Sequence, residues 1–473
     1  MTNTKIVATL GPATDSQQMI RRLLEAGVDV IRLNASHGAP DDHRRRVSNI
    51  RAVASEMDRL VGILLDLQGP KIRLGTFEGG HALLCDGAEF VITTEQVTGT
   101  AERASTSYAD FAKDLKPGDR VLLADGSVEL SVVATDGVAA RCKVTTGGPI
   151  SDRKGINLPG VQVSTPSMTR KDMADLQAGI EAGVDCVALS FVRKASDILR
   201  LRLFLEERDV NLPIIAKIEK PEALENLDEI LNESDGVMVA RGDLGVELAL
   251  EKVPFVQKSI IEKARVYGKF VITATQMLES MIESPVPTRA EVSDVANAIY
   301  DGTDAVMLSG ETSTGKHPVE AVAMMDKIAA QAERSIRKQG FKDLPRRRYT
   351  THAEIVADCA YHAARNTEAA AIVVFTSSGS SARLVARFRP PVPIFAFTPS
   401  EAVARQLTIV FGVRPVVAPH MGSTDEMMTL MDHMLIETGG LKPRDSVVFV
   451  AGQPIGRPGT TNLMKLHRVG EGR

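Results

Sequence analysis

Eight short apolar runs, each ending in a cluster of polar residues and followed by a stretch with helical periodicity, constrain this chain more than any other feature. The runs begin at Lys5, Val28, Gly62, Asp185, Pro213, Gly236, Phe270 and Ala305. Between them lie amphipathic segments, among them 16–26, 41–59, 169–183, 289–300 and 318–334. Strands that alternate with helices pair in parallel, because a parallel connection needs a crossover long enough to hold a helix. Eight such units complete a (β/α)8 barrel, whose strands bring their carboxyl ends to a single mouth. Polar residues far apart in the chain are therefore expected to meet there.

The fifth run has the most informative ending. In 212–227, LPIIAKIEKPEALENL, an Ile-rich strand closes on Lys217 and Glu219. Period two puts both side chains on one side of the pleat, and burying either is costly unless it is paired. For an isolated Lys-Ile-Glu, a simple ion pair closing the strand is an adequate explanation. The next run, VMVARGDLG, ends in Arg241 and Asp243. Two carboxylates, Glu219 and Asp243, on successive strand ends suit a hard divalent cation such as Mg²⁺, which takes oxygen ligands and leaves positions for substrate.

Other strand ends carry chemistry too. RLNASHG exposes Arg32, Asn34, Ser36 and His37 after the second run, and DLQGPKIRLG places Asp66, Lys71 and Arg73 after the third. Taken singly, Arg32 reads as a salt-bridge partner and His37 as a solvated loop residue. From 76 to 164 helical periodicity fades, and Asp86-Gly87, Asp125-Gly126 and Asp136-Gly137 separate short β-rich runs. These are hairpin signals, so an antiparallel β domain, a barrel-like lid, interrupts the alternating scaffold. The resulting units are 1–70 with 166–340, 71–165, and 341–473.

GETSTGK, 310–316, imitates a phosphate-binding loop, but His317 stands where a metal-binding hydroxyl belongs. The basic run 342–351 reads as a linker. Beyond it helix and strand alternate again at 352–366, 370–375, 380–387, 394–397 and 401–411, giving a smaller α/β domain. Its turn TSSGSSARL offers Thr376, Ser377, Ser378, Gly379, Ser380 and Ser381 to a phosphate, although such turns more often only cap a helix.

Charge and cysteine usage exclude several classes. A net charge of −4 gives no reason to expect nucleic acid or an anionic membrane as partner. Four scattered cysteines lack metal-ligand spacing and read as reduced thiols. The amino-terminal MTNTKIVATLGPAT lacks the regions of a signal peptide, and no run approaches membrane-spanning length, so the cytoplasm is the default location.

KIEKPEAL, VARGDLG, ATQMLESM and MLSGET, in that order, resemble the pyruvate kinase family, and the resemblance covers essentially the whole chain. It implies transfer of a phosphoryl group from phosphoenolpyruvate to ADP through an enolate that is then protonated. Glu219 and Asp243 would hold Mg²⁺ or Mn²⁺, and the amides of Gly242 and Asp243 would meet the substrate carboxylate. Arg32 and Lys217 would neutralise the departing phosphate, Lys217 also stabilising the enolate. Pro12, Asn34, His37, Arg73, Asp125 and Lys154 match nucleotide positions, and Thr275, Ser309 and Glu311 match a proton-delivery network. The loop 452–462 resembles one that completes an effector pocket for a phosphorylated allosteric ligand, and a homotetramer is implied. Leu67, Gln68 and Lys71 depart from the commoner Thr, Lys and Glu. This pattern resembles bacterial, potassium-independent members, in which the ammonium of Lys71 would replace K⁺ at a degenerate site of Asn34, Ser36 and Asp66. A different metal-enolate barrel, of the mutase or aldolase and lyase type, is the competing reading. It would need neither a nucleotide site nor a lid.

Overall fold

The structure is a computed structural model that describes residues 2–341, 343–345, 349–437, 439–457 and 459–471. Eight parallel strands close a barrel: Lys5–Thr9, Val30–Asn34, Gly62–Asp66, Cys186–Leu189, Ile214–Ile218, Gly236–Ala240, Phe270–Ala274 and Ala305–Leu308. They pair in chain order, and the first also pairs with the eighth. Period two divides their side chains. Val7, Leu64, Ala188, Ile215, Met238, Ile272 and Met307 belong to one apolar cluster, and Ile6, Ile31, Ile63, Val187, Ile214, Val237 and Val306 to another that includes the surrounding helices.

Helix ends follow the local sequence. Thr169 and Thr288 cap helices Arg170–Ala182 and Arg289–Asp301 in reciprocal capping boxes with Asp172 and Glu291, and left-handed Gly183 and Gly302 close them. After the fifth strand two short helices, Pro221–Glu225 and Leu227–Glu233, meet at Asn226. The Asn226 side chain is occupied there, donating to Arg193 O.

The inserted segment forms a two-stranded ribbon, His81–Leu84 with Gly148–Ser151, and a six-stranded sheet. All its strand pairs are antiparallel except Glu89–Thr93 with Arg103–Ser105. Single bridges from Arg73 to Gly155 and from Leu74 to Thr106 join the sheet's two edges, closing it on itself. Asp125-Gly126 and Asp136-Gly137 make the expected hairpins. Asp86-Gly87 does not: the strands either side of it pair with Gly148–Ser151 and Ala139–Thr146 instead. There the turn residues dock across the sheet, Gly147 N–H donating to Asp86 Oδ1 and Gly87 N–H to Val144 O.

The carboxyl-terminal sheet has the order Val413–Val417, Ile394–Thr398, Ala371–Phe375, Ser446–Gly452, Thr461–Arg468, the last antiparallel. The expected helix 401–411 stops at Gln406 and continues as a 3₁₀ turn, Leu407–Ile409. The linker 342–351 lies partly outside the described residues. Two buried aspartates join this unit to the base of the barrel. Asp304 accepts from Arg389 at 2.7 Å and Asp185 from Arg405 at 2.8 Å, while each also accepts a barrel amide, Val271 N–H and Ile63 N–H.

Candidate active site

Six side chains, from five of the barrel strands or the residues that directly follow them, meet at the carboxyl-terminal mouth. Arg32 donates through Nε to Asp66 Oδ2 at 2.8 Å and through Nη1 to Thr9 Oγ1 at 3.0 Å. Lys217 Nζ lies 2.8 Å from Glu219 Oε1 and 3.3 Å from Asp66 Oδ1, the second a charge contact outside hydrogen-bond geometry. It also donates to Ser190 Oγ at 2.8 Å, and the Ser190 hydroxyl in turn donates to Leu67 O at 2.6 Å. Glu219 accepts Phe191 N–H on its other oxygen at 2.9 Å.

The electrostatics of this cluster are tightly coupled. Burial alone favours the neutral ammonium, but Asp66, Glu219 and Asp243 outweigh it and hold the pKa of Lys217 above its ordinary value. Asp66 feels burial pushing its carboxyl up, and Lys217 and Arg32 together bring it below the usual range. Glu219 goes the other way: burial raises it, Lys217 opposes, and the Asp243 carboxylate raises it again. An anion beside Glu219 disfavours its charged form, and a bound cation would relieve that repulsion. Among the described residues no three His, Cys, Asp or Glu groups cluster as metal ligands. Two carboxylates with the remaining positions left to water and substrate fit Mg²⁺, which retains waters and resists all-protein cages.

Thr275, directly after the seventh strand, has φ +67, an outlier for a β-branched residue and a strain that packing must hold in place. Buried Arg241 holds it, its guanidinium donating to Thr275 O at 2.7 Å and to Ala274 O and Gln276 O at 3.3 Å, with Asp294 as counterion. The Thr275 hydroxyl accepts Gly242 N–H at 2.7 Å and donates to Ala274 O at 2.6 Å. Buried Glu311 accepts Ser309 N–H and Leu278 N–H, while Ser309 Oγ is buried without a partner.

Toward the inserted sheet, a cleft is lined by Lys71, Asp125, Asn157, Phe191, Lys220 and Asp243. Gly69 shapes its edge. The residue has φ +68, and a Cβ there would lie 2.7 Å from the Phe191 ring. Arg73 Nη1 donates to Arg153 O, Lys154 is exposed, and Pro12 is exposed beyond the first strand. His37 is held below the usual imidazole range by burial and then by Arg73, Lys71 and Arg32. Asn34 Oδ1 is engaged by Ser36 N–H. Lys71 lines this cleft close to Gly155 and adds to the positive field at His37. Lys316 of the phosphate-loop imitation pairs with Glu283 at an exposed site.

Residues 1–322 match the family model "Pyruvate kinase, barrel domain" and 354–467 match "Pyruvate kinase, alpha/beta domain". The chain belongs to the pyruvate kinase family. It is 47% identical to a pyruvate kinase of Geobacillus stearothermophilus over 99% of this chain and 80% of that one, and 46% identical to one of Staphylococcus aureus over 100% and 81%. A solved pyruvate kinase from Cryptosporidium parvum superposes with a TM-score of 0.92 at 37% identity, covering 99% and 96% of the two chains.

Some residues that complete this pyruvate kinase site were not singled out from sequence. Thr9 is a small hydroxyl in an apolar run, and Phe191 acts through its backbone amide. Neither leaves a signal in composition. In the carboxyl-terminal unit the turn Thr376 to Ser381 does face the 452–462 loop across a cavity of about 130 Å³ that His420 and Arg457 also line. Within it Gly379 N–H donates to Thr376 Oγ1, and Ser381 and Thr461 share a hydrogen bond.

Proposed function

We propose that this chain transfers the phosphoryl group of phosphoenolpyruvate to ADP, yielding pyruvate and ATP. The observation that carries the reading is the meeting of Arg32, Asp66, Lys217 and Glu219 at one barrel mouth, with Asp243 in the helix that follows the neighbouring strand. Pyruvate kinases work with a divalent cation. Glu219 and Asp243 would hold it as Mg²⁺ or Mn²⁺, and when bound it supplies Lewis-acid charge at the substrate oxygens.

Phosphoryl transfer asks the protein mainly for positioning and positive charge. Arg32 and Lys217 supply that charge where the bond from phosphorus to the enol oxygen breaks, as an oxygen of the ADP β-phosphate bonds to phosphorus. Lys217 then stabilises the enolate without changing protonation, a role suited to an ammonium held charged by its neighbours. The enolate carbon takes a proton to give pyruvate. Thr275, Ser309 and Glu311 deliver it through water, and the unpartnered buried hydroxyl of Ser309 supports that route. Pro12, Asn34, His37, Arg73, Asp125 and Lys154 contact the nucleotide, with 71–165 as the closing lid over 1–70 and 166–340.

Potassium is not required in this reading. The support is that Asp66 is engaged by Arg32 and Lys217, Asn34 Oδ1 by Ser36 N–H, and the Leu67 carbonyl by Ser190. Equal rates in Na⁺-only and K⁺ buffers are expected, and strong K⁺ activation would refute it. A phosphorylated effector at Thr376 to Ser381 in 341–473 is supported by the hydroxyl-rich cavity with His420 and Arg457. Assembly into a homotetramer is supported by large apolar side chains left in solvent, Phe255 75% and Leu250 74% exposed. Among the described residues no helix is long and apolar enough to cross a membrane, in keeping with a cytoplasmic enzyme.

The deciding experiment is a lactate dehydrogenase-coupled assay with purified protein, phosphoenolpyruvate and Mg²⁺, run with and without ADP. Strict ADP dependence is expected. Turnover of phosphoenolpyruvate without ADP would point to a mutase or lyase instead.

A further inference from the structure

A buried ion pair beneath the inserted sheet has no part in the chemistry above. Lys220 follows Glu219 directly, and its ammonium pairs with Glu247, the side chains being only 12% and 1% exposed. Glu247 ends the short helix Arg241–Glu247 that carries Asp243. Four positions apart, these two carboxylates share one helix face, where like charges repel. Glu247 Oε2 is buried with no partner, so its charge is balanced through the contact to Lys220 and a 3.4 Å hydrogen bond from Asn157 Nδ2 of the inserted sheet. Lys220 Nζ also lies 5.9 Å from the centre of the Phe191 ring, the residue whose amide holds Glu219.

The segment bearing Glu219 and the helix bearing Asp243 leave adjacent paired strands, and beyond the last strand pairing they are thus tied to each other one residue and four residues from those carboxylates. We propose that the Lys220–Glu247 pair is a positioning brace that fixes the separation of Glu219 and Asp243 and thereby sets the affinity for the divalent cation. The proposal rests on the reading that those two carboxylates hold the cation. A buried pair suits this task because neither partner can leave the other without stranding a charge out of water. Outer contacts that orient ligands typically change metal affinity 10- to 100-fold.

The sign of the effect separates a brace from simple electrostatics. Removing a cation beside an acidic site should tighten cation binding if only charge matters. A brace predicts the reverse. The test is Mn²⁺ binding to the full-length protein, followed by electron paramagnetic resonance of free Mn²⁺ without nucleotide or substrate. Lys220→Met is expected to weaken binding about tenfold or more, and Lys220→Arg, which keeps the ion pair, to stay within about threefold of wild type. Glu219→Gln tests the underlying reading and is expected to abolish tight binding. Lys220→Met that binds as wild type or tighter, alongside a defective Glu219→Gln, overturns the brace alone. An unaffected Glu219→Gln overturns the metal assignment itself. Circular dichroism and a thermal melt accompany each variant. Should Lys220→Met not fold, the reversed pair, Lys220→Glu with Glu247→Lys, decides by whether it restores affinity relative to Glu247→Gln or leaves it equally weak.

Discussion

Asp66→Asn gives the most direct test of how the barrel mouth is held together. Asp66 is 1% exposed, carries two cations, and replaces no apolar packing when made amide, so the change isolates charge at nearly constant volume. Breaking a buried pair by removing one partner costs about 3–5 kcal/mol, because the surviving charge stays desolvated. The lower end applies here: Arg32 keeps Thr9, and Lys217 keeps Glu219 and Ser190. About 3 kcal/mol should lower the barrel's melting midpoint by about 6–12 °C, given about 2–4 °C per kcal/mol for a unit of 150–250 residues. Differential scanning calorimetry at neutral pH reads this directly. The pH dependence supplies a second check. The folded pKa of Asp66 lies below its unfolded value, so its contribution is present above about pH 4 and disappears as pH falls through the folded value. Wild type and Asp66→Asn should therefore converge in acid. A shift under about 2 °C, or a gap that persists unchanged into acid, would show that the two cations do not depend on this carboxylate.

Three further outcomes are expected. Lys217→Met should reduce kcat by about 10²–10³, the loss typical of one preorganised charge stabiliser, with substrate affinity measured by calorimetry changing far less; undiminished turnover would remove Lys217 from the mechanism. Thr275→Val, similar in shape but without the hydroxyl that joins Gly242 N–H to Ala274 O, should lower kcat by about 10² or more, whereas Thr275→Ser stays within about tenfold of wild type. Burial and Asp243 raise the pKa of Glu219, so Mn²⁺ affinity should begin to fall on acidification above the ordinary carboxylate range. An affinity flat to about pH 4 contradicts that shift.

A chain 47% identical to a pyruvate kinase over nearly its whole length shares that scaffold, but the departures at Leu67, Gln68 and Lys71 lie beside the site's most tightly coupled charges. Lys71 lines the cleft beside Gly155 and adds to the positive field at His37.

Local signals determined the barrel and the identity of its charged strand ends. Periodicity marks eight parallel strands because a strand buried on both faces must be apolar along its length, and a polar residue is tolerated only where the run ends. Thr169 and Gly183 likewise mark a helix because a cap is satisfied within a few residues. Asp86-Gly87 misleads for the complementary reason: a turn dipeptide specifies local backbone, but which strands pair is settled by contacts across the sheet. Only the tertiary structure brings Ser190 to Lys217, Asp66 between Arg32 and Lys217, and Lys220 to Glu247, each pair separated by 27 to 151 positions. Coulomb energy and desolvation depend on distance and burial, and neither is a property of neighbours in sequence.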